Sequence, residues 1–450
     1  MKANSLTKLA LWAGGTLSHD SAANITDVCI DTRALRGGEL FVAIKGERFD
    51  AHDFIDQGLC HAAAAVLVHR PVKTQLPVIQ VADTRLALGR IAAGYRGQFT
   101  GKIFGVTGSN GKTTVKEMLA SIAQQKARTL ATQGNLNNDI GVPLTLLRLQ
   151  EEAYAIIEMG ANHAGEIRYL TNIARPDVAL ITNAGAAHLE GFGSVEGVAR
   201  AKGEIFEGLQ ASGTAVINAD DPHYALWTPL TSHTLRLTFG MHHNADFSAT
   251  TQASATGNLI QMNTPHGTIE IRLALLGLHN VMNALAAAAA ASAAGIDLDA
   301  IRRGLEAVVP VKGRLQWKKG KRGIKLLDDT YNANPTSLAA ALNVLASLGG
   351  NNWVILGDMG ELGDNSPALH EEAGRLVRRA GVSRLLTFGT HSRYAAENFG
   401  EGSTHFTEVQ ELVDTVQKEW QGEGAILVKG SRSMGMERFV AALQEQANKF

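Results

Sequence analysis

The chain has 450 residues, more than one hydrophobic core usually serves, so we expect several domains. Hydrophobic residues make up 45% of it and charged residues 19%, a composition typical of a globular enzyme and not of a disordered protein. Its 42 basic residues are balanced by 43 acidic ones, which argues against nucleic acid as a partner.

The N-terminal segment 1–100 is predicted to be a small α/β domain. Helical periodicity covers 83–95, and the polar, glycine-bearing stretch 96–101 is typical of a linker. Cys29 and Cys60 fit no metal or disulfide spacing. Short apolar runs that predict strands occupy 41–44, 64–68 and 78–81.

The segment 101–311 is predicted to be a central, ATPase-like domain built on a parallel sheet. Alternating short segments over 235–276 predict an attached antiparallel patch. The alanine-rich stretch 284–294 belongs to a predicted buried helix, because it is far shorter than the ~20 apolar residues of a membrane span. We therefore expect a cytoplasmic protein with no membrane span. Apolar runs that predict the parallel strands occupy 103–106, 154–157, 178–181 and 215–217.

The segment 312–450 is predicted to be a Rossmann-like α/β domain that follows a Pro/Gly-bearing boundary. Gly357, Gly360 and Gly363 are spaced GxxGxxG, which is not the dinucleotide fingerprint, so no nicotinamide site is expected. Apolar runs that predict its strands occupy 326–327, 353–356, 385–388 and 426–428.

A phosphate-binding loop is predicted between the strand 103–106 and a helical pattern that starts near Val115. Its glycines would let backbone N–H groups approach phosphate oxygens at a helix N-terminus. Lys112 would reach the terminal phosphates and Thr113 would hold magnesium. The loop is the short form GxxGKT, not GxxxxGK[ST]. It consists of Gly108, Ser109, Asn110, Gly111, Lys112, Thr113 and Thr114.

Two polar residues follow predicted strands of the central sheet. Glu158 ends the run 154–157, and His188 lies just beyond 178–181. Ligands of open α/β sheets bind at this edge, so both residues are candidates for metal binding. Either one alone could equally be an ordinary polar group at a strand end. The polar loops at 134–138 and 330–335 could likewise be ordinary turns.

Together these features resemble the Mur ligase family over almost the whole chain. The family implies three domains and an ATP-dependent ligase with ATP and Mg²⁺ as cofactors. In its reaction a carboxylate takes the γ-phosphate and an amine then converts the acyl phosphate to an amide. The resemblance rests on TGSNGKTT at 107–114, GNLNNDIGVPLTLL at 134–147, AHLEGFGS at 187–194, AKGEIF at 201–206, GLHNVMNALAA at 277–287, GRLQ at 313–316, DDTYNANP at 328–335, LGDMGELG at 356–363 and VKGSRS at 428–433.

The N-terminal segment 31–54 narrows the expected activity within the family. Its resemblance to the corresponding segment of one member of the family implies two small-molecule substrates, UDP-N-acetylmuramoyl-tripeptide and D-alanyl-D-alanine, for a step of peptidoglycan synthesis. Another amino-acid-adding member of the family, a folate-glutamate ligase and a P-loop switch without ligase chemistry remain open. We expect a monomer.

The resemblance also assigns roles to individual residues. Lys202 matches the family's carbamylated lysine and would join Thr113, Glu158 and His188 at the metal. Lys112, Lys202, His188 and Glu158 are the expected catalytic residues. The expected nucleotide contacts beyond the loop are Asn280, Asn283, Arg314, Asp329, Tyr331 and Asn332. The expected contacts to the other substrates are Arg33, Lys45, Gly46, Asn135, Asn137, Asn138, Lys429 and Arg432.

Overall fold

The computed structural model describes residues 1–19, 21–210, 212–254 and 256–445. Three α/β parts follow one another along the chain, as the sequence predicted. The boundaries at 100/101 and 311/312 stay predictions, and the last residues of the segment 312–450, 446–450, lie outside the described residues.

The N-terminal part is a five-stranded sheet of order β2-β7-β6-β5-β4, parallel except at β2. Its first helix starts where Ser5 accepts a hydrogen bond from the Lys8 N–H, and it ends at Gly14, which has φ +69°. β1 and β3 form a separate antiparallel pair. The elements are β1 (Asn4–Ser5), α1 (Leu6–Ala13), β2 (Thr16–Leu17), β3 (Asn24–Ile25), β4 (Asp27–Cys29), β5 (Glu39–Val42), α2 (Ala51–Asp56), β6 (Ala65–Val68), β7 (Val78–Gln80) and α3 (Thr84–Arg96).

The central part is a six-stranded parallel sheet of order β13-β12-β11-β8-β10-β9. After β8 the chain adds β9 and β10 on one side of β8, and then adds β11, β12 and β13 on the other side, so the strand order reverses at β8. Ligands of such sheets bind at this switch point. The elements are β8 (Lys102–Thr107), α4 (Lys112–Gln124), β9 (Thr129–Ala131), α5 (Gly141–Leu147), β10 (Tyr154–Glu158), α6 (Glu166–Ala174), β11 (Val178–Ile181), α7 (Leu189–Phe192), α8 (Val195–Gly203), β12 (Thr214–Asn218), α9 (Tyr224–Trp227) and β13 (Leu235–Phe239).

An antiparallel three-stranded sheet and two helices complete the central part. The alternating pattern predicted this sheet, but the predicted range 235–276 starts too early, because Leu235–Phe239 pairs in parallel with β12 at the edge of the central sheet. Ile260 and Met262 of β15 point into the core, and the residues between and after them face outwards. The alanine-rich helix α10 is buried nearly all round, and it packs mainly on α4. The elements are β14 (Ser248–Ser254), β15 (Gly257–Thr264), β16 (Gly267–Leu273), α10 (Leu278–Ala293) and α11 (Leu298–Glu306).

The C-terminal part is a six-stranded sheet of order β17-β18-β22-β19-β20-β21, parallel except at the edge strand β17. Asn334 caps α12, and Pro335 opens that helix. The elements are β17 (Gln316–Lys319), β18 (Lys325–Asp329), α12 (Pro335–Ser347), β19 (Trp353–Gly357), α13 (Ser366–Arg379), β20 (Arg384–Phe388), α14 (Ser392–Phe399), β21 (Ser403–Phe406), α15 (Val409–Glu419), β22 (Ile426–Lys429) and α16 (Glu437–Leu443).

The parts meet around the carboxyl ends of β8 and β18. Helix α3 of the N-terminal part packs on α5 and α6, and one continuous hydrophobic core joins these two parts. No helix within the described residues is both long and apolar enough to cross a membrane.

Candidate active site

A cavity of about 1470 Å³ opens where the three parts meet. Glu47 and Arg85 of the N-terminal part line one side of it, and Lys112 lies on the central side. Arg314 and Lys429 contribute from the C-terminal side. Since all three parts supply polar groups, no single part forms the site alone.

The predicted phosphate loop connects β8 to α4 in a conformation that needs its glycines. Gly108 has φ +145° and Gly111 has φ +82°. A Cβ on Gly108 would lie 1.9 Å from Thr182 Oγ1, and one on Gly111 would lie 2.4 Å from Asn283 Oδ1. The backbone can therefore adopt this turn only without side chains at these two positions.

Lys112 stands at the first position of α4, whose N-terminus has no side-chain cap. Its first backbone N–H groups thus lack intrahelical partners and can meet an anion. The Lys112 ammonium donates hydrogen bonds to the carbonyls of Gly108 (2.6 Å) and Ser109 (3.2 Å). Burial lowers the pKa of Lys112, and the nearby Glu158 carboxylate opposes that shift.

Glu158 ends β10 with one carboxylate oxygen satisfied and one unpaired. Oε1 accepts a hydrogen bond from Asn137 Nδ2 at 2.9 Å, whereas Oε2 is buried and has no partner among the described residues. A buried, unpaired carboxylate oxygen is costly unless a cation or donor meets it. The described residues contain no cluster of three or more histidine, cysteine or acidic side chains that could hold a metal. The unpaired Glu158 oxygen and the Thr113 hydroxyl at the same cavity are oxygen donors, which suit Mg²⁺, an ion that takes few protein ligands and completes its shell with phosphate and water.

Lys202 lies on α8 with only 1% of its surface exposed. Its Nζ donates a 3.5 Å hydrogen bond to the Ala161 carbonyl and lies 5.3 Å from the centre of the Phe192 ring. Within the described part of the chain it forms no ion pair. Burial, followed by the charge of Lys112, lowers the pKa of the Lys202 amine from 10.5 to about 7. Lys202 itself lies behind the cavity wall, while its partner Ala161 lines the cavity.

His188 and Glu361 meet across the junction of the central and C-terminal parts. The His188 ring nitrogen Nδ1 contacts Glu361 Oε2, and both residues have positive φ, +55° and +60°. This contact holds the pKa of the Glu361 carboxyl below its usual value. Sequence reasoning did not select Glu361, although the quoted motif LGDMGELG contains it.

Arg314 links the C-terminal part to the phosphate loop. Its Nη2 donates a 2.9 Å hydrogen bond to Thr113 Oγ1, and its guanidinium lies 4.3 Å from the centre of the Tyr331 ring. Its Nε is buried without a partner among the described residues. The arginine is thus fixed at the loop and still has a free donor.

Lys429 is 2% exposed at the end of β22 and is neutralised by Asp329 of β18. Its Nζ lies 2.5 Å from Asp329 Oδ2 and donates a second hydrogen bond, of 2.9 Å, to the Asn332 carbonyl. Burying a charge requires such compensation. Arg432 follows on the next loop and also lines the cavity.

Two asparagines of α10 lie under the phosphate loop. Asn283 donates to Asn280 Oδ1 at 3.0 Å, and Asn280 donates to the Leu276 carbonyl at 2.8 Å. Beside them His279 lines the cavity, and burial lowers the pKa of its imidazole to about 4. His279 was not predicted from the sequence.

Most of the predicted residues line the cavity, but the three expected substrate contacts of the N-terminal part do not. Arg33 is exposed and paired with Asp31, and the Lys45 backbone forms an isolated antiparallel β-bridge with Asp50. Arg33, Lys45, Gly46, Gly108 and Lys202 are absent from the cavity lining. The predicted residues that line it are Ser109, Asn110, Gly111, Lys112, Thr113, Thr114, Asn135, Asn137, Asn138, Glu158, His188, Asn280, Asn283, Arg314, Asp329, Tyr331, Asn332, Lys429 and Arg432.

Three family models match consecutive segments of the chain. They are described as Mur ligase family, catalytic domain (24–96), Mur ligase middle domain (106–291) and Mur ligase, glutamate ligase domain (313–432). Together they cover each of the three α/β parts.

Relatives and solved structures agree with the models. The UDP-N-acetylmuramoyl-tripeptide--D-alanyl-D-alanine ligase of Escherichia coli is 47% identical over 93% of both chains. A crystal structure of MurF from Acinetobacter baumannii has a TM-score of 0.94 at 38% identity, covering 99% of this chain and all of that one. A MurF ligase from Thermotoga maritima in complex with ADP has a TM-score of 0.85 at 28% identity, covering 92% and 96%. The chain belongs to the Mur ligase family.

Proposed function

We propose that the protein is the ATP-dependent ligase that joins D-alanyl-D-alanine to UDP-N-acetylmuramoyl-tripeptide in peptidoglycan synthesis. The observation that carries this function is the convergence of the phosphate loop, Glu158, Arg314 and Lys429 on one cavity. The substrate pair comes from the name of relatives that match this chain nearly end to end. ATP use is supported by the related ligase in complex with ADP.

In the first step a carboxylate oxygen of the tripeptide attacks the γ-phosphorus of ATP. A bond from oxygen to phosphorus forms, the bond to the β-γ bridging oxygen breaks, and ADP leaves. Both reactants are anions, so the site must supply positive charge. Lys112, the N-terminus of α4 and Arg314 are the groups on this chain that supply it.

In the second step the dipeptide amine attacks the acyl carbon, and inorganic phosphate leaves. Lys429 and Arg432 line the cavity on the C-terminal side, where they can hold the acyl phosphate or a peptide carboxylate. Asp329 balances the buried Lys429, and Glu437 pairs with Arg432 at 3.3 Å. Because the Arg432 side chain is exposed, it is the cation of the two that can turn to a substrate. Holding the dipeptide amine in contact with the acyl phosphate supplies much of the rate acceleration of this step.

We also propose that Mg²⁺ binds in this cavity. Glu158, through its unpaired Oε2, and the Thr113 hydroxyl would hold it, with His188 nearby on the cavity wall. When bound, the ion would offset phosphate charge. Asn137 keeps the Glu158 carboxylate in position for that role.

Carbamylation of Lys202 is proposed from the family resemblance and is supported by the burial of the side chain. Burial without a carboxylate partner disfavours the charged ammonium form of an amine. Addition of CO₂ to the neutral amine forms a nitrogen–carbon bond and releases a proton. The product is an anionic oxygen donor that could assist a cation beside Glu158.

We also propose which residues contact the other substrates. Arg33, Lys45 and Gly46 are assigned to the uridine diphosphate end, and Asn135, Asn137 and Asn138 are assigned to substrate binding. We also propose domain boundaries at 100/101 and 311/312. A monomer in the cytoplasm is proposed because one chain supplies the whole cavity and the substrates are ATP and a UDP-linked peptide.

The test combines phosphate release with mass spectrometry of the product. The protein is incubated with ATP, Mg²⁺, UDP-N-acetylmuramoyl-tripeptide and D-alanyl-D-alanine, and we expect a product with both peptide parts. Parallel mixtures hold folate plus glutamate, and UDP-dipeptide plus diaminopimelate. Turnover in a parallel mixture, with none for the proposed pair, would overturn the substrate assignment. ATP hydrolysis without any peptide product would favour a switch over a ligase.

A further inference from the structure

The backbone N–H and carbonyl of Asn110, in the middle of the phosphate loop, are both hydrogen-bonded to the two residues that follow β11. Its N–H donates to Asn183 Oδ1 at 3.0 Å. Its carbonyl accepts hydrogen bonds from Thr182 Oγ1 (2.6 Å) and Asn183 Nδ2 (3.1 Å). Unlike the free N–H groups at the start of α4, the Asn110 backbone therefore has no donor left for a phosphate. Only its side chain can supply one.

The orientation of that side chain follows from the chemistry of its neighbour, Asn334, in the C-terminal part. Asn334 caps α12, and its Oδ1 accepts the Ser337 N–H at 2.8 Å. The other arm of the Asn334 amide must then be the NH₂ group, which donates to Asn110 Oδ1 at 2.9 Å. Because the Asn334 NH₂ group is a donor, the Asn110 atom that faces it must be the amide oxygen. The other arm of the Asn110 amide is therefore its NH₂ group.

The Asn110 NH₂ group is buried and has no partner among the described residues. Asn110 and Asn334 both line the cavity, so this donor belongs to the wall of the nucleotide site. A buried donor without a partner costs free energy that a phosphate oxygen would recover. Asn110, like Thr113, is a loop residue that bonds to the C-terminal part, which is the side that carries Lys429 and Arg432.

We propose that Asn334 is a positioning residue that orients the Asn110 amide so that its NH₂ group donates to the terminal phosphate of ATP. The inference rests on the proposed function. The loop would gain this donor in its correct orientation only while the C-terminal part is docked, because the two asparagines belong to different parts of the chain. Docking and recognition of the terminal phosphate are thereby coupled through one hydrogen bond.

The substitution Asn334→Asp separates this role from helix capping. Aspartate caps a helix as well as asparagine does, so α12 is retained. Both carboxylate oxygens of the aspartate are acceptors. The Asn110 amide must therefore turn its NH₂ group towards the aspartate and present its oxygen to the phosphate. We expect affinity for a non-hydrolysable ATP analogue to fall about 10- to 100-fold, with ADP affinity within about twofold of wild type.

The experiment measures binding of both nucleotides by calorimetry for wild type, Asn334→Asp, Asn110→Ala and the double variant. In the Asn110→Ala background the new carboxylate can still repel the phosphates but has no amide to turn, so Asn334→Asp should cause a much smaller further loss than it does in wild type. Equal loss for ADP and the analogue, no loss for either, or additive effects of the two substitutions would each overturn the inference. Melting temperatures check that every variant is folded.

Because nucleotide binding is measured independently of turnover, failure of the proposed function can be distinguished from failure of this inference. If wild type binds the analogue but ligates no peptide, the proposed function fails and the orientation of Asn110 is still tested. If wild type ligates D-alanyl-D-alanine, and the ratio of ADP affinity to analogue affinity is the same in Asn334→Asp as in wild type, only this inference fails.

Discussion

Arg314 is the residue whose replacement probes the junction between the phosphate loop and the C-terminal part. Its guanidinium makes two contacts at once, a 2.9 Å hydrogen bond to Thr113 Oγ1 and a stacked contact 4.3 Å from the Tyr331 ring. Lysine keeps the positive charge but lacks the planar fork, so it cannot satisfy both. The substitution Arg314→Lys therefore separates geometry from charge.

The expected size of the effect follows from these contacts. A hydrogen bond to a charged group contributes ~1.5–3 kcal/mol, and a cation–π contact contributes ~0.5–2 kcal/mol. Since lysine retains part of the electrostatic term, we expect Arg314→Lys to lose about 2 kcal/mol of transition-state stabilisation, or about 30-fold in kcat/KM for ATP. Arg314→Ala, which loses the charge as well, should cost about 4 kcal/mol, or roughly 10³-fold.

The assay is phosphate release at saturating UDP-tripeptide and D-alanyl-D-alanine, with ATP varied. Arg393→Lys is a matched control, because Arg393 also stacks on a tyrosine, 4.8 Å from the Tyr394 ring, but is exposed and lies outside the cavity lining. Its kcat/KM should stay within about twofold of wild type. An Arg314→Lys enzyme as active as this control would refute the role of the guanidinium.

Three further predictions concern the metal and phosphate groups. Lys112→Met should lower kcat by about 10²-fold or more with little change in melting temperature, since it removes the charge that meets the phosphates; a folded, near-normal enzyme would reject the loop assignment. Lys202→Ala should be nearly inactive and partly restored by acetate, and a bare ammonium at Lys202 in the ATP-bound enzyme, seen by ¹³C–¹⁵N NMR, would contradict carbamylation. Glu158→Gln should raise the Mg²⁺ concentration for half-maximal activity by about tenfold, because a neutral amide binds the ion more weakly; an unchanged requirement would remove Glu158 from the metal site.

The sequence predicted those parts of the fold that local patterns encode. The run 103–106, the glycines of the loop and the helical period after Val115 together predicted β8, the phosphate loop and α4. The edge strand β17 was not predicted, because Gln316–Lys319 carries three polar residues and forms no apolar run. The edge strand β21, Ser403–Phe406, was not predicted for the same reason.

The candidate site was predictable where one segment supplies the chemistry. Glu158 ends β10, and Lys112 and Thr113 open the helix after the loop that follows β8, so their position at the sheet edge could be expected. The contact between His188 and Glu361 could not, since it joins residues of different parts and leaves no local pattern. The hydrogen bond from Asn334 to Asn110 spans 224 positions and was missed for the same reason.

The central claim is that the tripeptide carboxylate is activated by phosphoryl transfer before the amide forms. The most direct measurement uses UDP-tripeptide labelled with ¹⁸O in the reacting carboxylate and follows the label by mass spectrometry after one round of ligation. Because the acyl carbon to oxygen bond breaks when the dipeptide amine attacks, one labelled oxygen should appear in the inorganic phosphate. Ligation that leaves the phosphate free of ¹⁸O would contradict the account.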